Sequence, residues 1–450
     1  MMEICTIGGY EEVGKNMTAV KVGDDVVIFD CGVHLPPLIK LQEKEFPQPK
    51  YTERMLRGIK AVPNDLILDD LGWRKKVRAI VIGHPHLDHV GAVPYLAQRY
   101  PNAEIIATPF TMAFLNSIIE DEKLIVRNKQ KIMHENTNYI LKSQGNLKLE
   151  FVNATHSTLG CVFCVLHSKE GKFFYALDFK FDNHPVMGPP TNYRRLKELA
   201  KQGIHTLVVD ALYSDTDRRT ASERIARNMV EDAISFVRGR KTAFFITTFS
   251  SHIPRLKSIV EFGKKTNREI VFIGRSLNKY VNCALKVGKC PFIKDIRLLK
   301  YRRQINSFLK RVEKDRGKYL VVCTGHQSEK GSILDRVVKG ETDFRFRPGD
   351  HLIFSSSVIP VPENILARQK MDAKLRKIGV RLQTDVHVSG HGGREDLRDL
   401  IELLKPKHII PAHGSIEQEL PLIKLATTEL GYVLNKTAHL CTNGKVLRLK

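Results

Sequence analysis

Short apolar runs bounded by glycine or charged residues recur along the chain and predict an α/β protein. Val77–Ile82 and Thr206–Asp210 are two such runs, rich in β-branched residues and too short for buried helices. In Leu147–Val152 apolar and charged residues alternate over the first five positions, which predicts a half-buried strand. Segments with a helical pattern, such as Arg394–Leu404, follow many of the runs, so layers of helices on sheets are expected.

The densest group of polar residues follows one of these runs directly. After Val77–Gly83 the chain reads His-Pro-His-Leu-Asp-His, which places His84, His86, Asp88 and His89 at a strand end. An H-x-H pair on extended backbone directs two imidazoles at one ion, while an Asp-His pair at a helix start turns toward a neighbouring ion. The alternative is a polar loop with surface histidines.

Two more candidate ligands follow other strands. His156 comes just after the run that ends at Val152, and Asp178 ends the run that begins at Lys172. A lone histidine or aspartate after a strand is usually a cap or a loop residue. Beside HPHLDH, however, a third histidine and a bridging carboxylate are what a two-metal site still lacks, so both residues are predicted ligands.

Length, charge and cysteine usage limit the class of protein. A chain of 450 residues predicts two domains or more. Lysine and arginine exceed aspartate and glutamate by 72 − 49 = 23, and this excess favours a polyanionic partner, nucleic acid before membrane. A basic surface without such a partner is the alternative. The eight cysteines are scattered and no apolar segment approaches about 18 residues, so a cytoplasmic protein in a reducing compartment is expected.

The region from about residue 205 to 380 has the pattern of a separate α/β unit. Strand-like runs alternate there with helical segments, which predicts a parallel sheet whose ligands gather at the carboxyl ends of the strands. In the final 70 residues histidines again follow predicted strands, as they do before residue 205. His391 comes after a glycine turn and His413 ends a strand.

At this point the motifs resemble a known family. HPHLDH, His156 and Asp178 resemble the ligand motifs of the metallo-β-lactamase fold, and Asp210, His391 in VSGH and His413 in PAHG resemble the added motifs of β-CASP nucleases. The segments GGYEEVGKNM, LDFKFD, TFSSHIPR, GRSLNKYV, CTGHQSEKG and IFSSSVIP resemble ribonuclease J. The likeness covers nearly the whole chain and is to the shorter archaeal form, without the extra C-terminal domain of many bacterial members.

This resemblance implies the architecture and the domain order. The fold expected is a metallo-β-lactamase αβ/βα sandwich, interrupted in sequence by an inserted β-CASP α/β domain. The expected boundaries are 1–204 for the first part of the lactamase domain, 205–380 for the β-CASP domain and 381–450 for the second part of the lactamase domain.

The resemblance also assigns the metal ligands and the catalytic residues. It implies two zinc ions per chain, for which manganese is a possible substitute: one is bound by His84, His86 and His156, the other by Asp88, His89 and His413, with Asp178 bridging both. Asp88 is expected to orient the attacking water. His391, tuned by Asp210, is expected either to protonate the leaving oxygen or to donate to the scissile phosphate.

A pocket for the RNA 5′-monophosphate is the remaining expectation from the resemblance. His387 and Ser389 precede His391 by four and two positions, so on extended backbone they share its face. With Ser251 and His252 they are predicted to hold the 5′ end of RNA, which would make the enzyme a 5′→3′ exoribonuclease. Ordinary hydrogen bonding at strand ends is the alternative for these residues.

Departures from the family pattern and competing functions remain. Asp210 is followed by Ala-Leu-Tyr where the family usually has Ser-Thr, and Thr158-Leu159-Gly160 replaces the more usual Ile-Pro-Asp.

The main alternative is an endoribonuclease of the cleavage-and-polyadenylation type, although no KH-type extension is present and Asp210 stands where that group has glutamate. A DNA-directed nuclease and a scaffold without catalysis are further alternatives. The expected partner is single-stranded RNA, with no membrane association, and the expected oligomeric state is a homodimer.

Overall fold

The computed structural model describes residues 1–44, 50–237, 241–359 and 362–450. Pro360, the last residue of the IFSSSVIP motif, lies outside them. The chain forms two compact units. The first unit comprises residues 1–183, 189–220 and 390–450, and the second comprises 184–188 and 221–389. No helix in the described ranges is both long and apolar enough to cross a membrane.

The first unit contains two sheets. One has seven strands in the order β19-β1-β2-β3-β4-β5-β6: β1 (Met2–Gly8), β2 (Met17–Val22), β3 (Asp25–Phe29), β4 (Val77–Ile82), β5 (Glu104–Ala107), β6 (Gln130–Ile132) and β19 (Lys445–Leu449). The other has six strands in the order β18-β11-β10-β9-β8-β7: β7 (Asn138–Ile140), β8 (Lys148–Asn153), β9 (Val162–Ser168), β10 (Gly171–Ala176), β11 (Thr206–Asp210) and β18 (His408–Ala412).

Helices complete the first unit. They are α1 (Leu35–Lys44), α2 (Glu53–Gly58), α3 (Ile67–Asp70), α4 (Leu87–Val90), α5 (Val93–Leu96), α6 (Pro109–Glu122), α7 (Tyr193–Lys201), α14 (Arg394–Leu404) and α15 (Ile416–Thr428). Phe29 of the first sheet packs with Phe173 of the second in the core between the sheets. On the other face of the second sheet, Phe174 lies in a core with residues of α7, α14 and α15. The expected αβ/βα sandwich is confirmed.

The second unit is built on one parallel sheet. Its strand order is β14-β13-β15-β12-β16-β17, formed by β12 (Phe244–Thr247), β13 (Glu269–Ile273), β14 (Ile296–Leu299), β15 (Tyr319–Cys323), β16 (His351–Phe354) and β17 (Arg381–Gln383). Its helices are α8 (Glu223–Ser235), α9 (Ile253–Gly263), α10 (Arg275–Lys286), α11 (Arg302–Lys314), α12 (Ile333–Lys339) and α13 (Pro362–Ile378). Parallel strands put all their carboxyl ends on one edge of the sheet.

Two strands fall on the other side of the expected domain boundaries. The strand Thr206–Asp210 was expected in the inserted region, but it pairs with β10 and β18 and so belongs to the first unit. Conversely, Arg381–Gln383 pairs with β16 in the second unit. A short apolar run does not show which sheet it will join, because its pattern is the same in either one.

One local prediction is wrong in detail. The strand covering Leu147–Val152 is buried on both faces rather than one, because Leu149 and Val152 pack in the cores on its two sides. Its Glu150 is accommodated by ion pairs with Arg195 and His167. Cys161 and Cys164 are buried free thiols in the cores on the two faces of this sheet.

Candidate metal centre

Ligand-type side chains from four separate segments converge at one end of the two sheets of the first unit. The HPHLDH segment follows β4 and continues into α4, Asp178 follows β10 and His413 follows β18. Each chain segment leaves its sheet at this end, so the polar side chains meet there while the strands remain apolar. The predicted ligands form two clusters that share Asp178.

The first cluster contains His84, His86, His156 and Asp178. His84 Nε2 lies 3.0 Å from His86 Nδ1, and His156 Nε2 lies 3.2 Å from the same His86 atom. Asp178 Oδ2 lies 3.3 Å from His84 Nε2 and 3.6 Å from His156 Nε2. Three imidazole nitrogens and one carboxylate oxygen therefore surround a single point, as the ligands of a zinc ion do.

The second cluster contains Asp88, His89, His413 and Asp178. His89 Nε2 lies 3.2 Å from Asp178 Oδ1, and His413 Nε2 lies 3.6 Å from that oxygen. Asp88 Oδ2 is 3.7 Å from His89 Nε2 and 3.8 Å from His413 Nε2. The two Asp178 oxygens thus face different clusters, which is the geometry of a bridging carboxylate.

The donor set fits divalent cations. Asp178 Oδ1 is buried and has no hydrogen-bond partner among the described residues, so its lone pairs are directed into the second cluster. Burial by itself raises the pKa of Asp178, but the surrounding histidines, His413 and His89 foremost, hold it well below the ordinary value. A carboxylate kept ionised beside imidazoles is what metal binding requires.

Supporting hydrogen bonds orient the imidazoles. His89 Nδ1 lies 2.7 Å from Asp30 Oδ2, and His156 Nδ1 lies 2.8 Å from the Gly390 carbonyl oxygen. These partners leave Nε2 of both rings directed at the clusters. Asp30 therefore supports the imidazole of His89, a predicted ligand.

Asn16 is a site residue that the sequence did not reveal. Its side-chain amide donates to the Asp88 carbonyl oxygen at 3.0 Å and lies 2.8 Å from His413 Nδ1. It sits in the glycine-rich segment before β2, so it links that segment to the HPHLDH segment and to His413. An Asn in the GGYEEVGKNM segment was the available signal, but only the fold places it beside His413.

Three residues of the centre have backbone in the left-handed region. Asp30 has φ 58°, Asp178 has φ 52° and His413 has φ 64°. Non-glycine residues rarely adopt this conformation, and its cost must be offset by the surrounding structure. Gly32 lies close to this group, and a Cβ there would lie 1.6 Å from the Asp88 carbonyl oxygen, so the backbones pack closely. The surrounding structure therefore fixes the backbone at these three positions.

Asp210 and His391 lie beside the clusters. His391 Nδ1 is 2.7 Å from Asp210 Oδ2, and His391 Nε2 is 3.7 Å from Asp178 Oδ2. Burial lowers the pKa of His391, but the carboxylates of Asp178 and Asp210 outweigh it and raise the pKa to about 9. The residues after Asp210 differ from the family pattern, yet both of its carboxylate oxygens have hydrogen-bond partners. Leu212 N donates to the second oxygen at 2.9 Å.

The residues predicted for the 5′-phosphate pocket lie mostly in the second unit. Ser251 and His252 follow β12, and His252 caps α9. His387 and Ser389 are half-buried in a segment without regular secondary structure, so the expected strand over them is absent. His391 belongs to the first unit.

A buried ion pair that was not predicted supports this group. Arg255 is fully buried and binds both oxygens of Glu223, at 2.6 and 2.8 Å. The same guanidinium lies 3.3 Å from His387 Nδ1, and His252 Nε2 lies 3.3 Å from Glu223. Arg255 and Glu223 therefore hold the two histidines in one arrangement.

Comparisons with known proteins agree with this architecture. Residues 10–212 match the metallo-β-lactamase superfamily, 241–370 match the ribonuclease J β-CASP domain, and 377–439 match the Zn-dependent metallo-hydrolase RNA specificity domain. A crystal structure of a protein of unknown function from Enterococcus faecalis V583 has the same fold, with a TM-score of 0.64, 17% identity and coverage of 99% of both chains.

Curated relatives extend the match over the full chain. Ribonuclease J of Pyrococcus abyssi is 40% identical over 452 residues, covering 100% of this chain and 97% of the relative. Ribonuclease J of Methanocaldococcus jannaschii is 38% identical, covering 99% and 98%. Ribonuclease J 1 of Streptococcus pyogenes is 30% identical, covering 99% and 74%. With these matches and the three family domains, the chain belongs to the ribonuclease J family.

Proposed function

We propose that this metal-dependent ribonuclease degrades single-stranded RNA from the 5′ end and prefers a 5′-monophosphate. The observation that carries the proposal is the position of His391: its Nε2 lies 3.7 Å from Asp178, the carboxylate shared by both clusters, while Asp210 holds its Nδ1. A donor placed beside a two-metal centre is suited to phosphodiester hydrolysis.

Two zinc ions are the proposed cofactors. His84, His86 and His156 would hold one, Asp88, His89 and His413 would hold the other, and Asp178 would contact both. Four imidazole and carboxylate ligands per ion favour zinc, which is usually bound tetrahedrally, and manganese is the alternative. When bound, such ions polarise a water molecule and the scissile phosphate.

The chain's own groups supply orientation and the proton. Asp88 faces the second cluster and is the proposed acceptor that aligns the attacking water. Attack on phosphorus expels the 3′ oxygen of the terminal nucleotide, and His391 Nε2 would protonate that oxygen. Asp210 accepts from Nδ1–H, so it fixes the ring and stabilises the imidazolium form, which also carries a proton on Nε2 facing the site.

A 5′-phosphate site in the second unit would set the direction of degradation. His252 and His387 both contact the Arg255–Glu223 pair, and Ser251 adjoins His252. These side chains, with Ser389, are the proposed ligands of the terminal phosphate. A dianionic 5′-monophosphate would bind histidines and serine hydroxyls through charge-assisted hydrogen bonds.

Location and assembly complete the proposal. The formal charge of +23 suits a protein that works on RNA, and the eight buried thiols suit a reducing cytoplasm. A homodimer is proposed and is tested by light scattering during size-exclusion chromatography, where the mass expected is twice 51.2 kDa.

End-labelled RNA tests the direction and the end preference. The zinc-loaded protein is incubated with RNA labelled at either end and carrying a 5′-monophosphate or a 5′-triphosphate. Mononucleotides released first from the 5′ end, fastest from monophosphorylated RNA, are expected. Internal fragments that form regardless of the 5′ group would instead favour the endoribonuclease alternative.

A further inference from the structure

A strongly basic cavity lies in the second unit, away from the residues discussed so far. It has a volume of about 790 Å³, and its lining includes six lysine or arginine residues but one acid, Asp315. The basic residues are Lys241, Lys265, Arg268, Lys314, Arg316 and Lys318. A neighbouring cavity of about 310 Å³ shares Arg268, but there Lys264 and Arg297 pair with Asp295 and Glu269.

The cavity lies at the amino-terminal edge of the sheet. Lys241 precedes β12, Arg268 precedes β13 and Lys318 precedes β15. Ser251 and His252 follow β12 at the opposite, carboxyl edge. Strands of four or five residues separate the two edges by roughly 15 Å, so the cavity is distinct from the proposed 5′-phosphate pocket.

Part of this positive charge is not neutralised by the protein. Lys265 pairs with Glu231 at 2.9 Å, and Arg316 pairs with Glu313 at 2.7 Å. Lys241, Lys314 and Lys318 are exposed and form no ion pair with a carboxylate anywhere in the described part of the chain. Three lysines clustered without counter-ions attract an anion of more than one charge.

Arg268 gives the cavity a fixed wall. It is 7% exposed, and its guanidinium donates to the carbonyl oxygens of Thr242 and Tyr319 at 3.0 and 3.1 Å. These bonds tie the starts of three neighbouring strands together. The exposed lysine side chains therefore extend from a fixed base, which is the arrangement of a binding surface rather than of a flexible tail.

We infer that this cavity binds the sugar–phosphate backbone of RNA at a point distant from the 5′ end. The lining contains no aromatic side chain on which a base would stack. Lysine ammonium groups would contact phosphates without regard to sequence. The inference rests on RNA being the substrate, and it adds a second anchoring point for long molecules.

The double variant Lys314→Gln/Lys318→Gln tests this surface. Binding is measured over a range of salt concentrations with RNA of about 5 and about 30 nucleotides, because the shorter one covers only a minimal single-stranded site. Loss of two phosphate contacts reduces the salt slope for the long RNA by about 1.4. We expect roughly tenfold weaker binding of the long RNA, a raised KM and an unchanged kcat, with no change for the short RNA.

Lys286→Gln/Lys289→Gln is the matched control, because both lysines are exposed in the same unit and lie outside the cavity. Thermal melting checks that each variant is folded, and Lys241→Gln alone provides a second test of the same surface. Equal binding of the long RNA by the test and control variants would overturn the inference, as would an equal loss with the short RNA. The comparison is made with both 5′-monophosphorylated and 5′-hydroxyl RNA. If the proposed preference for a 5′-monophosphate is wrong, the effect of the lysine substitutions on binding can still be interpreted.

Discussion

His391 Nδ1 and Asp210 Oδ2 lie 2.7 Å apart although 181 positions separate the two residues. Nearly the whole second unit lies between them in sequence, whereas both belong to the first unit in space. Asp210 ends β11, which pairs with β18 near the other end of the chain. The proposed catalytic pair therefore depends on completion of the second sheet by the C-terminal segment.

Replacing Asp210 by asparagine tests the role of this pair. An amide cannot hold the imidazole in the same protonated form, so kcat is expected to fall by roughly 10²–10³-fold while the metal content stays unchanged. Asp217→Asn is the control, because Asp217 is exposed in the same loop. A variant that kept full kcat would show that Asp210 does not act through His391.

Asn16→Ala is predicted to weaken metal binding in the second cluster. The amide supports His413 and the Asp88 backbone, and loss of such supporting contacts typically costs 10–100-fold in metal affinity. Competition with a chelator provides the measurement, and the exposed Asn102→Ala serves as the control. Wild-type affinity in Asn16→Ala would remove this residue from the centre.

Breaking the Arg255–Glu223 ion pair is predicted to destabilise the second unit. Glu223→Gln leaves a fully buried guanidinium without its counter-charge, which should lower the free energy of unfolding by about 3–5 kcal/mol. Urea unfolding measures the loss. The double variant Arg255→Met/Glu223→Leu removes both charges and should recover part of it, and equal losses in both variants would contradict this explanation.

Glu150 should make stability depend on acid pH. Burial raises its pKa, but hydrogen bonds from His167 and Arg195 outweigh this and lower it to about 2. A depressed folded-state pKa stabilises the protein above the unfolded-state pKa, and the stabilisation is lost as pH falls toward 2. Glu150→Gln should therefore cost about 2 kcal/mol at pH 7 and progressively less below pH 4. A difference independent of pH would contradict the assignment.

The ligands were predictable because their signal is local in the chain. HPHLDH follows an apolar run directly and Asp178 ends a strand, so pattern and residue type predicted these positions, whereas the resemblance to the family assigned His413. Asn16 and the Arg255–Glu223 pair were missed because their partners are distant in sequence. The boundary strands Thr206–Asp210 and Arg381–Gln383 were misplaced because strand pairing, rather than strand pattern, decides which sheet they join.

Metal content per chain tests most directly that two sites share Asp178. Elemental analysis is made on the wild-type protein and on the variants His156→Ala, His413→Ala and Asp178→Asn. Two zinc ions are expected in the wild type, one in each histidine variant, and fewer than one in Asp178→Asn. A single ion in the wild type, or full occupancy of both sites in Asp178→Asn, would contradict a centre built around this bridging carboxylate.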